Sequence, residues 1–336
     1  MDESDPYWRL EEWGEHSVLP RGVVGLGATV TARGEAPLVL VDVPRRPGRL
    51  PYAAYDFDAA FRQYVEILQP LEVFEESVDV EGVHDRLRGE AQAPVVLSVS
   101  RPEPMSEPTV RPHMVRSHAG SGIRCAVTHT RGTISFPVSL DGGETPQGFL
   151  TAGHVVPGGP GSTVEMATSR RFRRKTFRPF GTVRNQEDPI GALGKGGWDF
   201  AVVATNRAAP PRPLKAGVAS LPRALTQPLP VTLRGSISGV QPGGIVGSLT
   251  TLGADPYQDP SGNSRLWRDC WILIPSAIAQ QGDSGAAIVE SATGAAVGVL
   301  VGGSRMAPLT TYAVQYAQDV DHLSRHVLQP LGVSIV

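Results

Sequence analysis

Three short strings in the second half of the chain carry residue types that could do chemistry together. Phe149-Leu150-Thr151-Ala152-Gly153-His154-Val155-Val156 is an apolar strand that delivers a histidine at a corner of small residues. Gly197-Trp198-Asp199-Phe200-Ala201-Val202-Val203 places an aspartate at the mouth of an otherwise apolar strand. Gln281-Gly282-Asp283-Ser284-Gly285-Ala286-Ala287 sets a serine in a glycine-flanked loop that leads into a buried strand. Together they supply a nucleophile, a base and an orienting carboxylate. A hydroxyl is a poor nucleophile at neutral pH and needs a neutral imidazole to take its proton as it attacks. A buried carboxylate accepting the other imidazole N–H holds one tautomer and stabilises the imidazolium that forms. Gly282 and Gly285 let the backbone turn sharply, so that the amides of Gly282 and Ser284 can point at one oxyanion. Each string alone has a plainer reading, as a core histidine, a strand start or a surface turn. Their occurrence in one chain favours the catalytic one.

These residues need elements to position them. The chain has 336 residues, enough for about two domains with full cores. Apolar residues make up 40% and charged residues 19%, with a net charge of −2, which excludes charge-swollen disorder and a generally basic nucleic-acid binder. The 38 glycines and 30 prolines, about 11% and 9%, exceed the usual ~7% and ~5% and argue for many short strands joined by turns rather than a helical bundle. Residues 20–100 predict a small mixed unit. Strands are expected at Gly22–Arg33, Leu38–Val43 and Pro94–Ser100, with a helix through Phe57, Phe61, Tyr64 and Val65 behind an Asp56 cap and a weaker helix at Val78–Leu87. Arg101–Pro112 has linker composition. Strands follow at Cys125–His129, Thr133–Ser139, Gly148–Thr151, Trp198–Thr205, Pro230–Ser236, Gly247–Leu252, Cys270–Ile274, Gly285–Val289 and Ala296–Val301. The Pro-rich Ala209–Pro213 splits them into two groups, consistent with paired small barrels or a two-sheet sandwich. Val320, Leu323 and Val327 before Pro330 predict a terminal helix.

With the three strings in hand, the chain from about 118 to 330 resembles the trypsin-like (chymotrypsin-fold) serine peptidases. The order His, Asp, Ser matches, and the subtilisin and α/β-hydrolase orders fail. The resemblance implies a mainly β fold of two six-stranded Greek-key barrels, about 116–206 and 214–310, with a C-terminal helix at about 316–329; the chain before it reads, from its own pattern and composition, as a small α/β domain at 1–100 and a linker at 101–115. The same resemblance implies His154 as general base, Asp199 as its orienter, Ser284 as nucleophile and the Gly282 and Ser284 amides as oxyanion hole, with no metal or organic cofactor. Where members cutting after Lys or Arg carry an aspartate six residues before the serine, this chain has Ile278, which implies an apolar or small side chain in the primary pocket. Val299-Leu300-Val301-Gly302-Gly303-Ser304 best matches the strand lining the substrate cleft, with Val301 and Gly303 pairing with an extended peptide. The implied function is a serine endopeptidase, the alternative a peptide-binding scaffold that keeps the fold without cutting.

Other features carry less. Asp283 raises the question of activation, because in secreted relatives a newly cut N-terminal amine pairs with this aspartate. The string Arg21-Gly22-Val23-Val24-Gly25 lies too far before His154 to serve and reads as a strand of the N-terminal unit. Gly22, Gly25 and Gly27 fail as a dinucleotide motif, since position 30 is Val. The run Arg170-Arg171-Phe172-Arg173-Arg174-Lys175, continuing to Arg178, reads first as a solvated hairpin face, then as a dock for an acidic partner, and only last as a nucleic-acid surface. Expected partners are a protein or peptide substrate and a regulatory partner acting through the N-terminal unit or the 170–178 segment. Cys125 and Cys270 read as buried free thiols. With no signal-peptide pattern and no apolar run of ~18 residues, a cytoplasmic protein is expected.

Overall fold

The computed structural model describes residues 19–42, 56–87, 89–90, 92–100, 102–104, 119–169, 175–189, 197–205, 214, 216–223, 225–258, 264–274, 279–305 and 313–336. The N-terminal unit opens with a hairpin of β1 (Val23–Thr31) and β2 (Gly34–Asp42). Both strands are nearly all apolar because both of their faces are covered. Helix α1 (Phe57–Ile67) starts where the Asp56 carboxylate accepts the Ala59 amide at 3.1 Å, and it buries Ala60 and Tyr64. A short β3 (Gln69–Pro70) and α2 (Val80–Arg86) follow, the latter capped by Asp79 at the Gly82 amide. β4 (Val95–Val99) then returns parallel to β2, with Leu38 opposite Val95, as a crossover through a helix allows. The expected strands and both helices of this unit are present within a few residues of their predicted ends.

After β5 (Glu103–Pro104) come β6 (Gly122–Cys125), β7 (Arg131–Thr133), β8 (Pro137–Ser139), β9 (Gly148–Thr151), β10 (Thr163–Ser169), β11 (Lys175–Glu187) and β12 (Phe200–Thr205). Together with the C-terminal β19 (Ser334–Ile335) they form one sheet in the order β19-β8-β9-β12-β11-β10-β6-β7, a half-barrel. Two expectations shift here. The strand predicted over Cys125–His129 ends at Cys125, where residues 126–128 turn and His129 adopts a positive φ of 60°. The strand predicted over Thr133–Ser139 divides into the ends of β7 and β8.

The second half closes fully. β13 (Leu229–Gly235), β14 (Gly239–Gln258), β15 (Ser264–Ile274), β16 (Ala287–Glu290), β17 (Ala296–Arg305) and β18 (Ala313–Asp319) run in the order β13-β16-β17-β18-β15-β14, and β14 pairs back to β13. The fold is thus mainly β, a closed six-stranded barrel beside a half-barrel. The C-terminal helix is shorter than expected: residues 313–319 are strand β18, α3 spans Val320–Leu323, and a wider turn carries Ser324–Leu328.

β14 is long enough to outrun the barrel, and β1 pairs with the excess, from Gly25↔Leu252 to Thr29↔Gly247. The N-terminal strands therefore extend the sheet of the second barrel. Tyr64 of α1 bonds Thr29 Oγ1 at 2.9 Å, and that hydroxyl donates to the Val246 carbonyl of β14 at 2.8 Å. A single apolar cluster joins Leu38, Leu40, Tyr64 and Leu97 to Leu249, Leu252, Trp267 and Tyr316. No described helix is long and apolar enough to cross a membrane.

Candidate active site

β9 ends in the tight turn Gly153–Val155, which presents His154 between the two halves. Asp199 sits at the entrance to β12, beside β9 in the same sheet. Ser284 comes from the opposite half, in the loop that feeds β16. The three side chains form one line: Asp199 Oδ2 lies 2.6 Å from His154 Nδ1, and His154 Nε2 lies 2.8 Å from Ser284 Oγ. All three are buried.

Asp199 is held on every side. Its Oδ1 accepts the His154 amide at 3.0 Å, and its Oδ2 also accepts the Trp267 indole N–H at 2.9 Å. Its own amide donates to Gln318 Oε1 at 2.8 Å, while Gln318 Nε2 donates to the carbonyls of Gly197 and Arg268. The solvation this buried carboxylate loses is replaced by hydrogen-bond donors: the histidine ring, the indole and a backbone amide. Burial pushes the His154 pKa down, but the Asp199 charge and hydrogen bond outweigh it, and the net shift is upward.

The serine loop is clamped across the interface. The Thr133 amide donates to the Ser284 carbonyl at 2.7 Å, and the hydroxyls of Thr133 and Ser236 both donate to the Gly282 carbonyl, at 3.0 and 3.1 Å. Gly282 and Gly285 have φ of 98° and 84°, a region that costs other residues strain. The Gly282 and Ser284 amides donate to no group among the described residues, so the pair is available to an incoming oxyanion. Asp283 is buried and accepts amides from Gln280 at 2.9 Å, Ile237 at 2.8 Å and Ser238. Burial raises its pKa despite these donors. The chain's own backbone thus satisfies this carboxylate without a newly cut terminus.

Of the other residues singled out from sequence, Val301 is buried in β17 and Gly303 is half-buried on it. Ile278 lies outside the described residues, as do Arg170–Arg174. The rest of the basic run begins β11, which pairs with β10. There the Phe177 ring lies 4.4 Å below the Arg124 guanidinium and 5.3 Å from that of Arg131, so this aromatic packs inside the half-barrel's own sheet. Cys125 and Cys270 are buried free thiols, and burial raises the Cys270 pKa well above the usual thiol value. Among the described residues no cluster of three or more His, Cys, Asp or Glu is placed to hold a metal ion. Sequence reasoning missed Trp267 and Gln318. An indole donating to a distant carboxylate leaves no local spacing, and Gln318 lies in a strand not foreseen.

No protein-family model matches the sequence, and no curated protein sequence does either. Similar solved structures include Nocardiopsis protease (NAPase), 20% identical, covering 65% of this chain and 97% of that one with a TM-score of 0.44. Cellulomonas bogoriensis chymotrypsin is 22% identical, covering 65% and 97% with a TM-score of 0.42. A glutamic acid specific serine protease described as using a histidine triad in substrate binding is 17% identical, covering 65% and 99% with a TM-score of 0.44. The N-terminal region is not covered. Over about two thirds of its length, the chain is similar in fold to trypsin-like serine proteases.

Proposed function

We propose that the chain is a serine endopeptidase whose catalytic residues are His154, Asp199 and Ser284. The observation that carries this reading is the unbroken, buried hydrogen-bonded line from Asp199 Oδ2 through His154 to Ser284 Oγ, at 2.6 and 2.8 Å. In this mechanism His154 Nε2 takes the hydroxyl proton as Ser284 Oγ attacks a peptide carbonyl, and Asp199 stabilises the imidazolium. The amides of Gly282 and Ser284 receive the charge that develops on the carbonyl oxygen. The imidazolium then protonates the leaving amine, and water, activated by the same base, hydrolyses the acyl-enzyme. The side chain accepted before the cut bond is apolar or small rather than Lys or Arg, on the strength of Ile278. The N-terminal unit, outside the region shared with proteases, regulates access.

Ser284→Ala tests the assignment. It removes the nucleophile and leaves the loop backbone intact, so hydrolysis of a peptide library falls by about 10⁴–10⁶-fold. A fluorophosphonate probe labels Ser284 in the wild-type chain and nothing in the variant. Hydrolysis surviving in Ser284→Ala would refute the reading, and absence of any adduct would leave the peptide-binding scaffold in its place.

A further inference from the structure

The N-terminal unit holds a cavity of its own, at the opposite end of β2 from Asp42. β2 begins at Gly34, but its parallel neighbour β4 begins only at Val95, opposite Leu38. Pro94, just before β4, lacks the N–H that a further ladder bond would need. The first four residues of β2, about 13 Å of strand, therefore have no β4 residue beside them. The gap is walled by the last turn of α1 and by β3, which pairs with the first two residues of β4. What remains is an open cavity of about 760 Å³, within the range of small-ligand sites.

Its lining sorts by chemistry. Ala36 of β2, Val65 and Leu68 at the end of α1, and Val95 of β4 give an apolar wall. Two opposite charges stand on separate elements at its rim: Arg33 in the β1–β2 turn, and Glu72 in the chain after β3. Both are exposed, and among the described residues neither is joined in an ion pair, to the other or to a third group. Gln69 and Gln92 add side-chain amides, each a donor and an acceptor. A ligand of one sign would leave one rim charge without a counter-ion, and a neutral ligand would leave both. A molecule that is apolar in the middle and oppositely charged at its ends satisfies the pair and the wall together. A free peptide of two to four apolar residues has that form, whereas a lone amino acid would leave most of the volume empty.

We propose that this cavity is a binding site for short apolar peptides with free termini. The α-carboxylate meets the Arg33 guanidinium, whose fork suits a carboxylate, and the α-ammonium meets the Glu72 carboxylate. The side chains lie on Val65, Leu68 and Val95, and the backbone on the two glutamine amides. An occupant also braces α1, the helix that ties the unit to the second barrel. Tyr64, next to Val65, bonds Thr29 Oγ1, which donates to the Val246 carbonyl of β14, and Phe57 at the other end of the helix lies against Gly244. The site does not depend on the peptidase reading.

Leucine–alanine peptides of two, three and four residues, titrated calorimetrically into the full chain carrying Ser284→Ala, test this without turnover of the probe. Dissociation constants on the order of 10⁻⁴ M are expected for the best length. Hydrogen exchange is expected to slow in residues 65–72 and 92–97. Amidating the peptide's carboxylate should weaken binding at least about fivefold, and acetylating its amine likewise. In Arg33→Gln the amidation penalty vanishes and the acetylation penalty stays, and in Glu72→Gln the reverse holds. Ala93→Trp, which fills the cavity from its rim, should weaken binding at least about tenfold with an unchanged melting temperature. No binding at about 10 mM, protection confined to 300–304 in β17, or a penalty that persists undiminished in its matching variant overturns the proposal. So does decanoate binding more tightly than every peptide, which would make the cavity a fatty-acid site.

Discussion

The protonation of one imidazole governs the proposed chemistry. Burial alone would depress the His154 pKa, yet Asp199 raises it overall. The base must be neutral to take the Ser284 proton, so activity falls as pH drops through a pKa above the free imidazole value of about 6.5. A profile of kcat/KM against pH is expected to show its acidic limb displaced upward, and a limb below about 6 would contradict it. Trp267→Phe removes one donor from Asp199 Oδ2. The carboxylate then binds the imidazolium more tightly, so the limb moves further up and kcat/KM at neutral pH drops about tenfold, the scale of one hydrogen bond to a charge. An unmoved limb would reduce Trp267 to packing. A second titration concerns stability. Burial pushes the Asp319 carboxyl up to about 6, against the opposing pull of His322 and backbone amides. A raised pKa means that the folded chain holds a proton the unfolded chain releases, so this group's contribution to stability is present below about 4 and is lost as pH rises to about 6. Asp319→Asn keeps a cap for the amides of Asp321 and His322 and removes the titration. Thermal unfolding between pH 4 and pH 7 is expected to show the wild type losing melting temperature relative to the variant. Parallel curves would refute it.

Elements decide whether those side chains meet. The glycine-flanked serine loop was legible because its chemistry demands small residues: at Gly285, φ is 84° and a Cβ would collide with the Thr133 carbonyl and Thr151 Oγ1. Gly285→Ala therefore costs about 2–4 kcal/mol and moves the loop. Because the Oγ to Nε2 contact is short, fluorophosphonate labelling should slow by more than the loss in denaturation midpoint accounts for. Labelling at the wild-type rate would show that the loop tolerates the side chain. The strands that carry His154 and Asp199 were equally legible, being short apolar runs with turn residues on either side. β14 was read too short because Gln241-Pro242-Gly243-Gly244 resembles a turn, yet Pro242 and Gly243 stay in register with Thr232 and Val231 of β13. Pairing across the barrel overrode local propensity. β18 was hidden for a related reason. Buried on both faces, it shows no alternation, and the helical spacing of Val320, Leu323 and Val327 masks its end. β5 could not be read at all, since a proline-rich stretch of linker composition says nothing about which edge it meets.

At the scale of the molecule, the N-terminal unit and the second barrel share a sheet and a core, although their sequences read as separate blocks. The joint is β1 on β14, where Gly27 passes so close to Ser248 that a Cβ would strike its carbonyl. Removing the unit would bare the outer edge of β14 and the apolar faces of Leu249 and Leu252, an open strand edge of the kind proteins avoid. Covalent continuity through the linker is therefore not what holds the two parts together. If the linker is cut by an added protease, the fragments should co-elute in gel filtration and unfold in one calorimetric transition. Gly27→Val opposes the close approach without touching the site residues. Its two fragments should separate on the same column, or unfold in two steps, while His154, Asp199 and Ser284 keep their reactivity toward the probe. Wild-type fragments that part readily after the cut would mean that the shared sheet contributes little, and that the linker alone had kept the N-terminal unit in place.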